Sequence, residues 1–285
     1  MADEQRSALA KASKPPSQEL FATLITANHI LHYHNVVDAF GHISARNPQD
    51  DRTFFLSKNV APALVSGRDD IEEYYVADAS PVNKDAPDGY KERFIHSEIY
   101  KKFKGAQCPI YDIQQHYKAS DQLHSLLVTN EHLGAGLAAG FNPSTLVSKT
   151  TNLIRNFVTS QATAVPDFPP NPTVLMRGHG FTCIGGAIEE AVNRAVYTCT
   201  NARVQTTAML MQGSYNVGLV GERFGGGEKE TGPAKHEDIK YLNDREVKDS
   251  YTAIGAQSAR PWKLWCAEVA ASSLYNNELG SPPGA

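Results

Sequence analysis

Residues 173–184 read TVLMRGHGFTCI, in which two short apolar runs enclose a glycine–histidine–glycine turn. The run before the turn, up to Arg177, is typical of a buried strand. Gly178 and Gly180 let the backbone approach closely on both sides and leave the His179 ring unobstructed. A histidine in this position can bind a metal or carry a proton, and the alternative is an ordinary turn histidine whose ring nitrogens are satisfied locally.

Outward from this turn, helical and strand-like patterns alternate along the chain. Apolar residues recur at helical spacing in three stretches, at 20–33, 93–104 and 187–211. Strand-like runs lie between them, at 36–46, 54–57 and 173–177. This alternation predicts an α/β or α+β layered protein.

The domain organisation follows from the absence of a linker in the middle of the chain. We predict one domain over residues 18–270, with a glycine-rich, charged loop at 221–238. The polar segment 1–17 predicts a flexible N-terminal tail, and 271–285 predicts a C-terminal tail.

The composition excludes several classes of protein. Of 285 residues, 41% are hydrophobic and 20% are charged, which is a globular balance and not a disordered one. The formal net charge of −4 provides no basic surface for nucleic acid. No apolar run approaches the ~18 residues that span a bilayer, so no membrane association is expected. The four cysteines form no CxxC pair and the N-terminal segment has no signal-peptide core, which together predict a reducing, cytoplasmic location.

The helix predicted at 93–104 carries one carboxylate in an unusual position. Glu98 lies four residues after Phe94 and is therefore on or beside the apolar face of this helix. Charged side chains normally occupy the opposite, solvent-facing side. Either Glu98 has a chemical role, or it lies at the edge of the apolar stripe, where it reaches solvent or pairs with a lysine.

Three other motifs carry less information. The turn Gly41-His42-Ile43-Ser44 follows a strand-like run and could hold an anion by its backbone N–H groups. The glycines at 225–227 lack the flanking strand and helix of a phosphate loop. The sequence His32-Tyr33-His34 closes a helix, where side chains two residues apart diverge by about 200°, so we expect a solvated helix end and not a metal-binding pair.

Taken together, these pieces resemble the class II aldolase/adducin family. The matching stretches occur in family order and cover most of residues 18–270. They are LITANHILHYHNVVDAFGHISARNP (24–48), FFLSKNVAPALVSGRDDI (54–71), YKERFIHSEIYKKFKG (90–105), VLMRGHGFTCIGGAIEEAVNRAVYTCTNAR (174–203) and, more loosely, RPWKLWCAEVA (260–270). The resemblance implies a single three-layer α/β/α domain with a central, mostly antiparallel sheet. It also implies a homo-oligomer, since members of the family are generally homotetramers.

In detail the stretches are most similar to the decarboxylase branch of the family. This likeness implies a metal-dependent carbon–carbon lyase that decarboxylates a hydroxy- or oxo-substituted, aromatic-derived carboxylic acid through a metal-stabilised enolate. A sugar-phosphate aldolase is the alternative activity within the family. The implied partner is a small-molecule carboxylate.

The resemblance also implies roles for individual residues. His179 matches a ligand of a divalent metal, often zinc or manganese, and Glu98 matches the acid/base carboxylate beside that metal. Gly41, His42, Ser44 and Ser57 match the loops that hold the phosphate or carboxylate of the substrate; at His42 the family commonly has asparagine, and histidine suits the decarboxylase-like branch.

One family feature is missing from the sequence. The family carries two further metal-binding histidines as an HxH on a strand soon after the glutamate helix, whereas this chain passes from Gly105 through only Ala106-Gln107 to Cys108-Pro109-Ile110-Tyr111-Asp112-Ile113. One histidine and one glutamate are too few for a tight catalytic metal site, which usually has three protein ligands. The chain is therefore either a lyase of this family or a non-catalytic, adducin-head-like binding protein that does not bind the metal.

Overall fold

The computed structural model describes residues 17–87, 89–103, 117–118, 127–141, 171–224, 242–250, 253 and 257–285. The helices in this part of the chain are α1 (Gln18–Tyr33), α2 (Arg93–Lys102), α3 (Glu131–Gly140), α4 (Ile188–Phe224), α5 (Asp244–Ser250) and α6 (Ala259–Ala270). The strands are β1 (Ser44–Arg46), β2 (Thr53–Ser57), β3 (Ile71–Tyr75), β4 (Thr173–Met176) and β5 (Gly180–Cys183). The chain divides into two compact units, one of Met1–Ala195 with Ala259–Ala285 and the other of Val196–Ser258.

Helix α1 is the central helix of the first unit. Ser17 caps it, since the Ser17 Oγ accepts a hydrogen bond from the Leu20 backbone N–H at 3.4 Å. Every residue from Phe21 to Leu31 is buried, so the helix is covered on all sides and not only along one stripe. Its Phe21 ring packs edge-on against Phe55 of β2, with ring centroids 5.0 Å apart.

Part of the surface of α1 is covered by the C-terminal residues 271–285, which we predicted to be a tail. The Asn277 side chain donates a hydrogen bond of 2.9 Å to the Ala22 carbonyl of α1. The ring of His32 lies 2.9 Å from the Tyr275 hydroxyl, measured from Nδ1, and His34 Nε2 lies 3.3 Å from the Glu268 carboxylate of α6. The two histidines therefore diverge as predicted, but they are half-buried against the end of the chain and α6, and only Tyr33 between them is exposed, so the expectation of a solvated helix end holds in part.

Strand β2 lies in the middle of a three-stranded antiparallel sheet of order β1-β2-β3. All five of its residues are buried, because both faces of the strand are covered. Phe55 packs with α1 on one face, while Phe54 and Leu56 pack with Tyr74 and Tyr90 on the other. This strand therefore separates two apolar clusters, one against α1 and the other around Tyr74 and Tyr90.

Strands β4 and β5 form an antiparallel hairpin around the His179 turn. Met176 pairs with Gly180, and Gly178 has φ 79°, a left-handed conformation that glycine adopts without strain. The first strand and the turn were predicted, and the pairing with β5 was not. The buried character expected of the first strand is wrong: in β4 only Val174 is fully buried, and Leu175 is 48% exposed. Within the described residues β4 pairs only with β5, so it is an edge strand and not the central strand that a continuous apolar run favours.

Helices α2 and α3 pack closely against each other. Ile95 and Ile99 of α2 and Leu133 and Leu137 of α3 belong to one buried apolar cluster. The close approach requires Gly134, because a Cβ at this position would lie 2.6 Å from the Phe94 carbonyl oxygen.

The second unit contains α4 from Val196 onward and α5. Helix α4 runs to Phe224, so the first four residues of the loop predicted at 221–238 are helical, and residues 225–238 lie outside the described part of the chain. The helix continues past the predicted start of the loop because, once a helix has formed, each added residue completes another backbone hydrogen bond. No described helix is both long enough and apolar enough to cross a membrane.

Candidate active site

A cleft of about 1770 Å³ lies within the first unit. Its walls come from the segment after α1, from β1, from the start of α2 and from the β4–β5 hairpin. Four of the residues predicted from the sequence line it: Gly41, His42, Ser44 and His179. A concave pocket with a few convergent polar groups is the usual form of a small-molecule site.

Four side chains beside this cleft form one line of hydrogen bonds, which we call the histidine chain: His42, His96, Ser44 and Tyr100. His42 Nδ1 lies 2.7 Å from His96 Nε2, and His96 Nδ1 lies 2.7 Å from the Ser44 Oγ. The Ser44 Oγ lies 2.9 Å from the Tyr100 hydroxyl. Both ring nitrogens of His96 are therefore engaged inside the protein.

Local geometry explains why these groups meet. His96 and Tyr100 are four residues apart on α2, so their side chains extend from the same face of the helix. Ser44 begins β1, and the Phe54 ring of the neighbouring β2 packs against both α2 side chains, with ring centroids 6.2 Å from His96 and 5.3 Å from Tyr100. The Arg46 guanidinium lies 4.6 Å from the centre of the Tyr100 ring.

Removal from bulk water keeps the histidine chain uncharged near neutral pH. Desolvation lowers the pKa of His42 below its usual 6.5, and the nearby negative charge of Glu92 opposes this shift in part. Desolvation, with a smaller contribution from His42, holds the pKa of His96 well below 6.5. Desolvation also raises the pKa of Tyr100 above 10.0.

Acid is expected to destabilise the first unit because of these lowered pKa values. In the unfolded chain His42 and His96 bind protons as the pH falls through about 6.5, whereas in the folded chain they stay neutral to a lower pH. The unfolded state then binds more protons, so the free energy of unfolding decreases as the pH falls below 6.5 and is restored above it. Urea unfolding at pH 5.5 and 7.5 measures the difference.

The variant His96→Gln provides the control for this pH dependence. We expect a shallower dependence in the variant, and not a flat one, because the pKa values of His29 and His34 are also lowered by burial. If the free energy of unfolding of the variant depended on pH as steeply as that of the native chain, the histidine chain would not be the source of the pH dependence.

Two predicted site residues do not line the cleft. Glu98 is buried in the α2–α3 contact, where its carboxylate pairs with Lys101, which lies 3.3 Å from Glu131 as well. This is the pairing with a lysine that the sequence offered as the alternative. Ser57 is fully buried at the end of β2, where its hydroxyl neighbours that of Tyr90.

Three residues with carboxylate side chains line the cleft, Asp38, Glu92 and Glu189, and sequence reasoning missed all of them. Of the three, Glu92 immediately precedes α2 and is near enough to His42 for its charge to raise the pKa of that ring. The spacing contained a signal for Glu92. It is four residues before His96, and residues four apart lie on the same face of a helix. The apolar-stripe argument favoured Glu98 instead, and the tertiary packing shows that this stripe faces α3.

The backbone conformation places two further predicted site residues, Gly41 and His179. A Cβ at Gly41 would lie 2.1 Å from the Val37 Cγ1, so only glycine fits there without movement. His179 lies at the tip of the β4–β5 hairpin, and its backbone N–H donates a hydrogen bond of 3.1 Å to the Met176 carbonyl.

Comparison with known proteins identifies the family. The model of the class II aldolase and adducin N-terminal domain matches residues 22–206. The chain belongs to the class II aldolase and adducin family. The resemblance inferred from the sequence is thereby confirmed, and so is the predicted α/β fold class with antiparallel sheets.

Individual relatives support this membership. The chain is 37% identical to the decarboxylase tropJ of Talaromyces stipitatus, over 90% of this chain and 96% of the relative. An aldolase II superfamily protein from Pseudomonas syringae matches with TM-score 0.54 and 14% identity, covering 94% of this chain and 98% of that one. L-fuculose 1-phosphate aldolase from Glaciozyma antarctica matches with TM-score 0.52 and 12% identity, covering 94% and 99%. At such low identity, the two solved structures show the fold alone.

The alignment with the decarboxylase also bears on the missing HxH strand. It extends over 288 residues yet covers only 90% of the 285-residue chain, so it must include positions of the relative that this chain lacks. This is consistent with the absence of an internal segment from the family pattern.

The donors of the described residues do not fit the divalent metal that the family implies. In this part of the chain no three His, Cys, Asp or Glu side chains form a group that could hold a metal ion. His179 and Glu92 line the cleft, but His96 has both ring nitrogens engaged and His42 has one. A catalytic metal usually needs three protein ligands, so we derive no step through a metal.

Proposed function

We propose that this chain is a decarboxylase of a hydroxy- or oxo-substituted, aromatic-derived carboxylic acid. The observation that carries the proposal is the cleft, in which a neutral histidine, His42, lies beside the carboxylate of Glu92. The full-length likeness to a protein named as a decarboxylase supports this reaction over the other activities of the family. The zinc or manganese ion implied by the family is not part of the proposal, because the described donors do not fit it.

The reaction places two demands on the cleft. When the bond to the carboxylate breaks, CO₂ leaves, and the electron pair passes to the remaining carbon and into the conjugated oxo or hydroxy group as an enolate. Hydrogen-bond donors aimed at that oxygen lower the barrier. A proton must then be added to the carbon, and a carboxyl group close to it can deliver one taken from solvent. His42 and His179 offer ring nitrogens for the first task and Glu92 offers a carboxyl for the second.

Further properties are part of the same proposal. We infer a small-molecule carboxylate as partner, a homo-oligomer and a cytoplasmic location. Exposed apolar side chains on the second unit's part of α4, among them Met209, Leu210, Met211 and Tyr215, support an oligomer, since such patches are usually covered. Among the described cysteines, Cys183 and Cys266 are free thiols, as in a reducing compartment.

The test of the proposal is release of CO₂ from a panel of hydroxy- and oxo-substituted aromatic acids. We expect the purified chain to decarboxylate at least one of them, and Glu92→Gln to lower kcat about 10²–10⁴-fold, the usual contribution of a general acid or base. The matched control is Glu98→Gln, which makes the same change six residues along, outside the cleft, and is expected to retain activity.

Two outcomes would contradict this scheme in different ways. If Glu98→Gln abolishes CO₂ release while Glu92→Gln does not, the carboxylate has been assigned incorrectly. If no acid in the panel is decarboxylated, the reaction itself is wrong and the adducin-like binding protein is favoured.

A further inference from the structure

Phe40 is the most exposed large apolar side chain in the described part of the chain, with 82% of its surface open to solvent. Single apolar side chains on a protein surface are common and need no explanation. Phe40 differs from them because it lines the cleft of the candidate active site, two residues before His42. Its ring is therefore available to a molecule that enters the cleft.

The backbone around Phe40 is held in place at several points. The Val37 N–H donates a hydrogen bond of 3.3 Å to the Leu31 carbonyl at the end of α1. The Phe40 N–H donates to Asp38 Oδ1 at 2.9 Å, which closes a short side-chain turn. The next residue, Gly41, lies so close to Val37 that a Cβ there would be 2.1 Å from the Val37 Cγ1. The position of Phe40 in the wall of the cleft is therefore fixed by the fold.

Phe40 offers more ring surface than the other aromatic side chains of the cleft. Within the described residues, five phenylalanine and tyrosine side chains line it: Phe40, Tyr90, Tyr100, Phe103 and Phe181. Tyr90 and Phe103 are buried, at 6% and 2% exposed, and Tyr100 and Phe181 are half-buried. The Tyr90 ring is also packed against His42, with centroids 4.9 Å apart. A flat apolar ligand would therefore find most free ring surface at Phe40.

The size of the cleft gives a reason for such a contact. Its volume of about 1770 Å³ exceeds the ~300–1,000 Å³ that is usual for a small-molecule site, so the shape of the cleft alone does not select one small acid over another. Selection between an aromatic and an aliphatic acid then depends on the apolar area that each buries against the wall. Packing of one ring on another adds a preference for aromatic groups beyond that area.

Phe40 is also within reach of an acid bound at His42. Two residues of chain span at most about 7 Å, and both side chains line the cleft. Under the proposed function, the oxo oxygen of the substrate meets the His42 ring. The remainder of a small aromatic acid then lies close enough to Phe40 for the two rings to pack.

We propose that Phe40 packs against the aromatic ring of the substrate and makes the cleft select aromatic over aliphatic oxo acids. Phe40 is a specificity-determining residue in this scheme, because it touches the substrate but not the bond that breaks. The inference rests on the proposed function for the place of the acid in the cleft. It is tested by binding, so that the two can fail separately.

The test is isothermal titration calorimetry of the full chain with benzoylformate and with pyruvate. The two acids share an oxo-carboxylate group and differ in a phenyl ring against a methyl group. Their oxo group is next to the carboxylate, so loss of CO₂ would not give an enolate and both serve as unreactive ligands. We expect the native chain to bind benzoylformate more tightly than pyruvate. In Phe40→Ala the affinity for benzoylformate should fall about tenfold or more, and that for pyruvate by less than about twofold, since a methyl group buries little area.

Two further variants control for general damage to the cleft. Phe40→Leu keeps an apolar side chain without a ring and should bind benzoylformate with an affinity between those of the native chain and Phe40→Ala. Leu64→Ala removes a side chain that is 60% exposed but does not line the cleft, and both affinities should stay unchanged. Equal losses for the two acids in Phe40→Ala, or no loss for benzoylformate, would overturn the inference. A native chain that binds benzoylformate no more tightly than pyruvate would overturn it as well.

A second copy of the chain is the other group that could cover an exposed phenylalanine. Sedimentation equilibrium of the native chain and Phe40→Ala distinguishes the two occupants. We expect the same oligomeric state in both, and dissociation in Phe40→Ala would place the ring at a subunit contact and overturn the inference.

Release of CO₂ separates this inference from the proposed function. Ring-dependent binding without CO₂ release from any acid in the panel overturns the proposed function alone. Release of CO₂ from an aromatic acid with the same KM in Phe40→Ala as in the native chain overturns this inference alone.

Discussion

Replacing His42 by leucine is expected to lower kcat for decarboxylation about 10²–10³-fold, the usual cost of removing one hydrogen-bond donor from a developing oxyanion. Leucine has a similar volume but no N–H group, so the cleft keeps its shape and loses the donor. KM should change much less than kcat, because the negative charge on the oxygen develops only as the bond to CO₂ breaks. Steady-state kinetics on an accepted acid measures both.

The variant His42→Asn is the matched comparison. Asparagine keeps a donor at this position, so we expect it to recover about tenfold or more of the activity lost in His42→Leu. Thermal unfolding of both variants controls for loss of structure, since leucine leaves His96 Nε2 without its partner. Equal activity of His42→Leu and the native chain would remove His42 from the reaction.

Replacing Phe55 by alanine is expected to reduce the free energy of unfolding by about 3–5 kcal/mol. Phe55 is fully buried in β2 and packs against Phe21 of α1. Its removal leaves a cavity between the helix and the sheet that the surrounding backbone cannot close. Urea unfolding followed by tryptophan fluorescence reports on this unit, because both tryptophans of the chain, Trp262 and Trp265, are buried in it.

The same substitution at Phe40 provides the control. Phe40 is 82% exposed, so Phe40→Ala should change the free energy of unfolding by no more than about 0.5 kcal/mol. A loss below about 1 kcal/mol in Phe55→Ala would show that the contact between α1 and β2 contributes less than its burial indicates.

The local elements were predictable from short-range pattern. Helical spacing predicted α1 and α2 at 20–33 and 93–104, and the apolar run before the glycine–histidine–glycine turn predicted a strand at 173–177, where β4 lies. These features depend on neighbours within a few residues, through side-chain periodicity and glycine conformation. The family resemblance rested on the same stretches, and the family model confirms it.

The choice between two carboxylates was not predictable in this way. Glu98 and Glu92 lie within seven residues of each other, and the apolar face of the helix made Glu98 the more unusual of the two. Which face meets the cleft depends on α3, whose Gly134 permits the close contact that buries Glu98. Helix periodicity identifies an apolar face but does not say whether a neighbouring helix or a substrate will cover it.

By itself, the sequence determined the family and the fold class, because these follow from local pattern and ordered motifs. It also predicted His42, Ser44 and His179 as site residues, and the structure places all three along one cleft. Only the tertiary structure decided that Ser44 and His96, 52 residues apart, share a hydrogen bond. A hydrogen-bonded line of side chains requires atoms from different elements to meet within about 3 Å. That proximity is set by how β1 and α2 pack on β2, and no spacing along the chain encodes it.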